Sequence, residues 1–249
     1  MKTLRIIGTI LIFLSILTFS SCDDNIYSDY GDDTSDEAQL EEAYIYLDEG
    51  EYAKAKAILL TLDQSDTDVI RALASSYAGT AGLDIPSLLT AIDNSSNSGV
   101  DTIGLILGDT ENNNELTPSE ITNKKSDIET AISLYESLTQ TDSVKSQLCI
   151  LYATNAVLII ANDLTTTASA DFFGLSVPLD ETIDDSTIDD ADLPNWDDVR
   201  IAMEYVNNNI SSMDDSLSEG FSDFYDDVNT VDGGSITQAN IATYLNSID

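Results

Sequence analysis

The sequence predicts an all-α fold of about eight to ten antiparallel helices. Two observations lead to this prediction. Apolar residues recur at spacings of three and four along much of the chain, which is the period of a helix with one buried face. Glycines interrupt this pattern at Gly50 and again in residues 79–82, as expected where one helix ends and another begins.

The first helix pair spans residues 43–62. Ala43, Tyr46 and Leu47 share one helical face, and Gly50 ends their pattern. The apolar face of the next helix consists of Tyr52, Ala55, Ile58, Leu59 and Leu62. The pattern Gly50-x-Tyr52-x-x-Ala55 resembles the tetratricopeptide (TPR) hairpin, although that family usually has Ala where Leu62 stands. The resemblance implies hairpins stacked as a short right-handed solenoid or bundle; the alternative is an ordinary antiparallel helix pair with a glycine elbow.

A second helix pair is predicted directly after the first. Residues 68–77 form its first helix, 79–82 break the pattern, and 85–92 begin a new helix with Pro86 near its first turn. The break comes about 30 residues after Gly50, near the 34-residue TPR period, so this pair resembles a degenerate second repeat. Because such a hairpin cannot bury its apolar face alone, further helices must stack on it.

The first 21 residues have the pattern of an export signal. Lys2 and Arg5 precede an apolar run that is short for a membrane span. The motif Phe19-Ser20-Ser21-Cys22 resembles the bacterial lipobox, which implies cleavage before Cys22 and acylation of that residue; an ordinary secretory signal is the alternative. The predicted location is therefore the cell envelope, with a lipid anchor in the bilayer, in the outer membrane rather than the inner one, facing the periplasm or the cell surface.

Composition defines the remaining regions and restricts the partners. Residues 22–37 are acidic and predict a flexible tether, whereas 38–249 form one helical domain that includes a long acidic loop at 165–192. Loss of Lys2 and Arg5 leaves seven basic against 46 acidic residues, a formal charge of −39. This charge predicts no nucleic-acid binding and favours basic, cationic or neutral partners, unless it reflects solvation in a salty habitat.

The sequence does not predict an enzyme. It has no histidine, which excludes Ser-His-Asp and Cys-His catalysis and zinc sites with histidine ligands. Cys149 would be the one thiol left after lipidation, and its apolar neighbours predict a buried side chain. No pair of carboxylates is distinguished by spacing or by an apolar setting, as acid–base catalysis would need.

One polar loop, residues 109–120, resembles the twelve-residue EF-hand calcium loop. Calcium takes six to eight oxygen ligands. The resemblance implies, in order, Asp109, Glu111, Asn113, the carbonyl of Glu115, Thr117 and the bidentate Glu120. Glutamate at the third position and Asn114 in place of the usual glycine depart from the family pattern. The alternative is a helix start capped by Thr117 and Glu120, and both can hold together.

Three more helices complete the prediction. The first follows Thr117 and runs to about Leu138. The second, 143–164, is apolar almost all round, which is typical of a central buried helix. The third begins after Asn195, which we expect to cap it, and it places Trp196 on its inner face.

These observations favour a lipid-anchored interaction module whose stacked helices bind an envelope protein or a peptide. Two other classes remain open. In one of them, calcium binds residues 109–120 and rigidifies the module. In the other, the protein binds a small molecule for a transport system in a pocket between its helices.

Overall fold

A computed structural model describes residues 35–83, 116–164, 170–172, 175–177, 192–212, 218, 222, 225–226 and 236–248. The chain divides into two compact units, Met1–Gln39 and Leu40–Asp249. Of the first unit, residues 35–39 are described, and they hold the first turn of a helix. The second unit contains the remaining described helices.

Seven α-helices lie in the described ranges, which confirms the all-α prediction. They are α1 Asp36–Asp48, α2 Tyr52–Leu59, α3 Thr67–Thr80, α4 Pro118–Glu136, α5 Asp142–Leu164, α6 Trp196–Asn209 and α7 Gln238–Ile248. A single 3-10 turn, Ile210–Ser212, follows α6. The acidic loop predicted at 165–192 is not irregular throughout, because it contains a short antiparallel hairpin of β1 Ala170–Phe172 and β2 Leu175–Val177.

Successive helices form the main interfaces. From α2 to α6, each helix packs on the next one along the chain. Two apolar clusters result. The smaller one joins α1, α2 and α3, and the larger one runs from α3 to α7. The buried members of the smaller cluster are Ala43, Ala55, Leu59, Leu62, Val69, Ala72 and Leu73.

The central element of the larger cluster is α5. Sixteen of its 23 residues are buried, among them Cys149, Leu151 and Leu158. Within the described residues, α5 alone is long and apolar enough to cross a membrane, with a mean hydropathy of 1.5, but 78% of its most apolar window is buried inside the protein. The prediction of a central buried helix is therefore confirmed.

The two glycine breaks differ in detail. Gly50 has φ +73°, so it adopts the left-handed conformation expected between two helices. The second break falls later than the sequence pattern indicates, because α3 continues to Thr80 and Gly82 has φ +95°. Gly79 lies inside the last turn of α3, where the ring of Tyr52 packs against it so closely that a Cβ would overlap the ring.

The prediction for Asn195 is half right. Asn195 is the N-cap residue of α6, but its side chain makes no capping hydrogen bond. Instead, its Nδ2 donates to Asp163 Oδ1 at 2.5 Å, and its backbone N–H donates to Asp163 Oδ2 at 2.9 Å. Because Asp163 is buried at the end of α5, it attracts the Asn195 amide and ties the start of α6 to the core.

Candidate functional site

The predicted anchor and most of the predicted calcium ligands lie outside the described residues. This holds for Cys22 and for Asp109, Glu111, Asn113 and Glu115. Within the ranges that the structure describes, no group of three or more Cys, Asp or Glu side chains is arranged to hold a metal ion. Calcium binding at 109–120 stays a prediction.

The last part of this loop is described, and it forms the helix start. Thr117 is the N-cap of α4, and its Oγ1 accepts from the backbone N–H of Glu120 at 3.3 Å. Glu120 Oε2 accepts in return from the backbone N–H of Thr117 at 2.7 Å and from Thr117 Oγ1 at 2.6 Å. This reciprocal pair is a capping box, as the alternative interpretation predicts. One carboxylate oxygen of Glu120 is thus engaged by the helix start.

Cys149 is buried, as the sequence predicts, and it is not disulfide-bonded. Burial raises the pKa of its thiol to about 11, although a hydrogen bond with Ser212 and the charge of Lys145 oppose that rise. A thiol with this pKa is almost entirely protonated at neutral pH, so it is a poor nucleophile. The Cys149 side chain belongs to the larger apolar cluster around α5.

Basic side chains are scarce in this acidic chain, and most of those that the structure describes have a partner. Arg200 is the most completely held: its NH2 group lies 2.6 Å from Asp197 Oδ1 and its NH1 group 2.7 Å from Glu204 Oε1. The others with an ion pair or hydrogen bond are Lys54, Lys56, Lys124 and Lys125. Arg71 and Lys145 form no ion pair within the described ranges.

Arg71 forms no ion pair with a residue that the structure describes, although a carboxylate stands at a suitable spacing. Asp68 precedes it by three residues on α3, as Asp197 precedes Arg200 on α6. Asp68 follows Asp66, the N-cap of α3, whose Oδ1 accepts from the Asp68 backbone N–H at 2.7 Å. The two arginines differ four residues further on, where α3 has Ser75 and α6 has Glu204.

A cavity of about 270 Å³ opens beside Arg71. Arg71 and Ser75 lie one helical turn apart on α3 and form one wall. Tyr135 comes from the last turn of α4, and the short turn 137–141 then leads into the first turns of α5. The lining residues are Arg71, Ser75, Tyr135, Ser143, Val144 and Gln147.

Tyr135 and Ser75 connect two walls of this cavity. The Tyr135 side chain is buried, and its hydroxyl lies 3.4 Å from Ser75 Oγ, where either group can donate. Burial raises the pKa of Tyr135, whereas the hydrogen bond with Ser75 and the positive charge of Arg71 oppose this rise. Tyr135 therefore stays protonated at neutral pH and offers a hydroxyl to the cavity.

Tyr44 of α1 lies near the same site and is 41% exposed. Its hydroxyl donates to the backbone carbonyl of Asp68 at 3.4 Å, which connects α1 to the start of α3. Burial and the charges of Asp68 and Asp66 raise the pKa of Tyr44, whereas Arg71 lowers it. Tyr44, Arg71 and Tyr135 therefore belong to one face, which we call the Arg71 face.

The features predicted from the sequence do not include the Arg71 face. One signal was present: Arg71 is one of three arginines in the chain, and the residue four positions later is Ser rather than an acid. The approach of Tyr135 and Gln147 could not be derived from spacing, because they lie on other helices. No known protein family, curated protein or solved structure matches this chain.

Proposed function

We propose that this protein is a lipid-anchored module of the cell envelope that binds a protein or peptide partner through the Arg71 face. The anchor would be an acylated Cys22, followed by the acidic tether predicted at residues 22–37, whose last two residues, Asp36 and Glu37, belong to α1. The helical domain would then be held near the membrane and would present the face to its partner. This proposal includes no catalytic step.

The observation that carries this proposal is an arginine that forms no ion pair with any described residue and lies beside an exposed tyrosine, in a chain with 46 acidic residues. Arg and Tyr are enriched among the residues that contribute most to protein–protein binding, because they offer large contact area together with directional donors. The hydroxyl of Tyr44 is held by the Asp68 carbonyl, so less conformational entropy is lost when a partner covers its ring.

The packing of successive helices supports the same proposal. When each helix packs on the next, the neighbouring outer faces form an extended surface, which is the arrangement that stacked helical hairpins use for binding. The TPR-like solenoid belongs to this proposal. The face and the cavity beside Arg71 include residues of α1, α3, α4 and α5, so together they are larger than any single helix could offer.

Site-specific photo-crosslinking in intact cells tests the partner-binding face. A photoreactive phenylalanine analogue replaces Tyr44 in one variant and Ile201 in another, because Ile201 is 47% exposed and lies on α6. We expect a discrete crosslinked product from position 44 that Arg71→Ala weakens, and none from position 201. Equal products from both positions, or none from position 44, would contradict the proposal.

The anchor requires its own experiment. Cells fed an alkyne fatty acid should label the wild-type protein and leave the Cys22→Ser variant unlabelled, since Cys22 is the acceptor in the lipobox motif. Cys149→Ser is the matched control: the Cys149 thiol is buried, so this variant should still be labelled at Cys22. Label that persists in Cys22→Ser would remove the anchor from the proposal.

Calcium binding at residues 109–120 remains an alternative proposal. Isothermal titration of the full chain with calcium, beside magnesium at the same ionic strength, tests it. Glu120→Gln is a suitable variant because Gln preserves the capping box with Thr117 while removing a charged bidentate ligand. Tight calcium binding that this variant loses would support the site. Equal weak heats from both ions and both proteins would eliminate it.

A further inference from the structure

We infer that the cavity beside Arg71 binds the carboxylate group of a small organic acid. This inference deepens the proposed function, because the cavity belongs to the Arg71 face. It also has independent support from the hydrogen-bond donors that line the cavity, from the positive charge of Arg71 and from the cavity volume.

The polar groups around the cavity suit an anion. Arg71 has five N–H donors and no acceptor, in a planar fork that matches the two oxygens of a carboxylate. Ser75 and Ser143 add hydroxyls, the hydroxyl of Tyr135 remains protonated, and Gln147 adds an amide. None of the six residues that line the cavity has a carboxylate side chain, although acids make up 46 of the 249 residues.

Charge favours a carboxylate over a phosphate. The chain has a formal charge of −37, so its overall field opposes the approach of any anion. A dianion experiences about twice that repulsion, whereas Arg71 supplies a single positive charge at the cavity. A monoanion is compensated by one guanidinium, and the hydroxyls then satisfy its remaining lone pairs.

The cavity volume favours a small ligand. About 270 Å³ is slightly below the range of roughly 300–1,000 Å³ that is typical of pockets for drug-sized molecules. Val144 is buried and contributes an apolar surface, and the Tyr135 ring adds another. The two surfaces together suit a short hydrocarbon tail. A peptide C-terminus carries the same carboxylate, so the experiment must distinguish these two sources.

The two folded-domain arginines provide an internal control for the test. The full chain, labelled with 15N-arginine and held in a non-ionic detergent, has three Nε–H signals, from Arg5, Arg71 and Arg200. Arg71→Gln and Arg200→Gln assign two of them. Sodium propionate then replaces sodium chloride at constant ionic strength. We expect the Arg71 signal to shift with saturation, and the Arg200 signal to stay in place because its carboxylate partners already occupy it.

Ligand-observed saturation transfer measures the same binding in every variant, including Arg71→Gln, which lacks the Arg71 signal. We expect Arg71→Gln to weaken propionate binding at least tenfold, Tyr135→Phe to weaken it two- to fivefold, and Arg200→Gln to leave it unchanged. A shift of Arg71 that does not saturate, or that Arg200 matches, would overturn the inference. Unchanged binding by Arg71→Gln would do the same.

Two more probes identify the ligand class. Inorganic phosphate should bind more weakly than propionate, and tighter phosphate binding would overturn the assignment to carboxylates. A short peptide with a free C-terminus that displaces propionate, while its amidated form does not, would locate the carboxylate on a peptide. Displacement by both forms would contradict a carboxylate site.

The two proposals can fail separately. Crosslinking at Tyr44 without propionate binding would eliminate this inference alone, whereas propionate binding without crosslinking would eliminate partner binding alone.

Discussion

Arg71 and Arg200 have similar local sequences, but the groups around their guanidinium groups differ. Each lies on an amphipathic helix with an aspartate three residues before it, Asp68 or Asp197. Arg200 is held by Asp197 and Glu204 at 2.6 and 2.7 Å, so its charge is paired with two carboxylates. Arg71 forms no ion pair within the described residues and lines a cavity with hydroxyl and amide groups.

The comparison shows that an aspartate three residues earlier does not by itself place an arginine in an ion pair, and that the residue one helical turn later also differs between the two sites. Glu204 supplies a second carboxylate on the same face, so the guanidinium of Arg200 is satisfied within its own helix. Ser75 supplies a hydroxyl that pairs with Tyr135 on another helix. A serine at this position leaves the charge of Arg71 available, and packing of α3 against α4 and α5 then builds the cavity around it.

The largest expected effect comes from the core that both regions share. Leu151 of α5 is 1% exposed and belongs to the apolar cluster that includes Tyr135 and Val199. Leu151→Ala should lower the free energy of unfolding by about 2–5 kcal/mol, since it removes buried methyl groups and leaves a cavity. Urea denaturation measures this. Ile201→Ala, at a position 47% exposed, is the control and should change stability by less than about 0.5 kcal/mol.

The second-largest effect is expected when the residues one helical turn after the two arginines are exchanged. Ser75→Glu gives Arg71 the carboxylate that Arg200 has in Glu204, so propionate binding should fall at least tenfold, which is about 1.4 kcal/mol. Glu204→Ser removes a partner from Arg200 but leaves Asp197 in place, so it should create no new binding. Saturation-transfer measurements on both variants are the check. Full propionate binding by Ser75→Glu would show that the availability of Arg71 is not the deciding property.

A smaller effect should appear at alkaline pH. Burial raises the pKa of Tyr135 above 10.0, so the folded protein keeps this proton in a pH range where the unfolded chain has lost it. The stability contributed by Tyr135 is thus complete below pH 10 and is lost as pH rises through the folded pKa. Arg71 lowers this pKa, so Arg71→Gln should steepen the loss, whereas Arg200→Gln should not.

Urea denaturation between pH 9 and 11 measures this slope for both variants. Tyr135→Phe is the control and should flatten the loss, because it removes the titrating group. If stability falls equally steeply with pH in Arg71→Gln and Arg200→Gln, the general loss of positive charge is responsible and not the position of Arg71.

The smallest effect is on stability at neutral pH. Arg200→Gln breaks two ion pairs on the exposed side of α6, so a slight loss of stability at low salt is expected, which should vanish in 1 M salt. Arg71→Gln breaks no ion pair within the described residues and should cost less than Arg200→Gln. Thermal unfolding at low and high salt compares the two. A larger loss in Arg71→Gln would mean that Arg71 has a structural role.

The sequence was sufficient for the local features of this fold. The period of apolar residues predicts the helices, and the buried Ile121, Ile128 and Ile132 of α4 lie at spacings of seven and four, as one helical face requires. The elbow at Gly50 and the capping box of Thr117 and Glu120 are also local, because the interacting groups lie within three or four residues of each other. The burial of α5 could be predicted from its composition, because a helix that is apolar almost all round has no face suited to water.

Features that require contact between helices were missed or placed wrongly. The Asn195 side chain was predicted to cap α6, but it bonds to Asp163, which is 32 residues away. Gly79 was interpreted as a helix break, but it lies within α3 and accommodates the Tyr52 ring. In both cases a distant residue offered a more favourable contact than the local one, and no spacing rule contains that information.

The sequence alone therefore sufficed for the strongly negative charge, for the helices and for those helix ends, such as Gly50 and Thr117, that depend on neighbours within one turn. It also placed Arg71 three residues after Asp68, where an ion pair within the helix was available. Only the tertiary structure decided that Arg71 would line a cavity instead. Packing of α3 on α4 and of α4 on α5 brings Ser75, Tyr135 and Gln147 to the cavity beside it, and such packing joins residues that lie far apart in the chain.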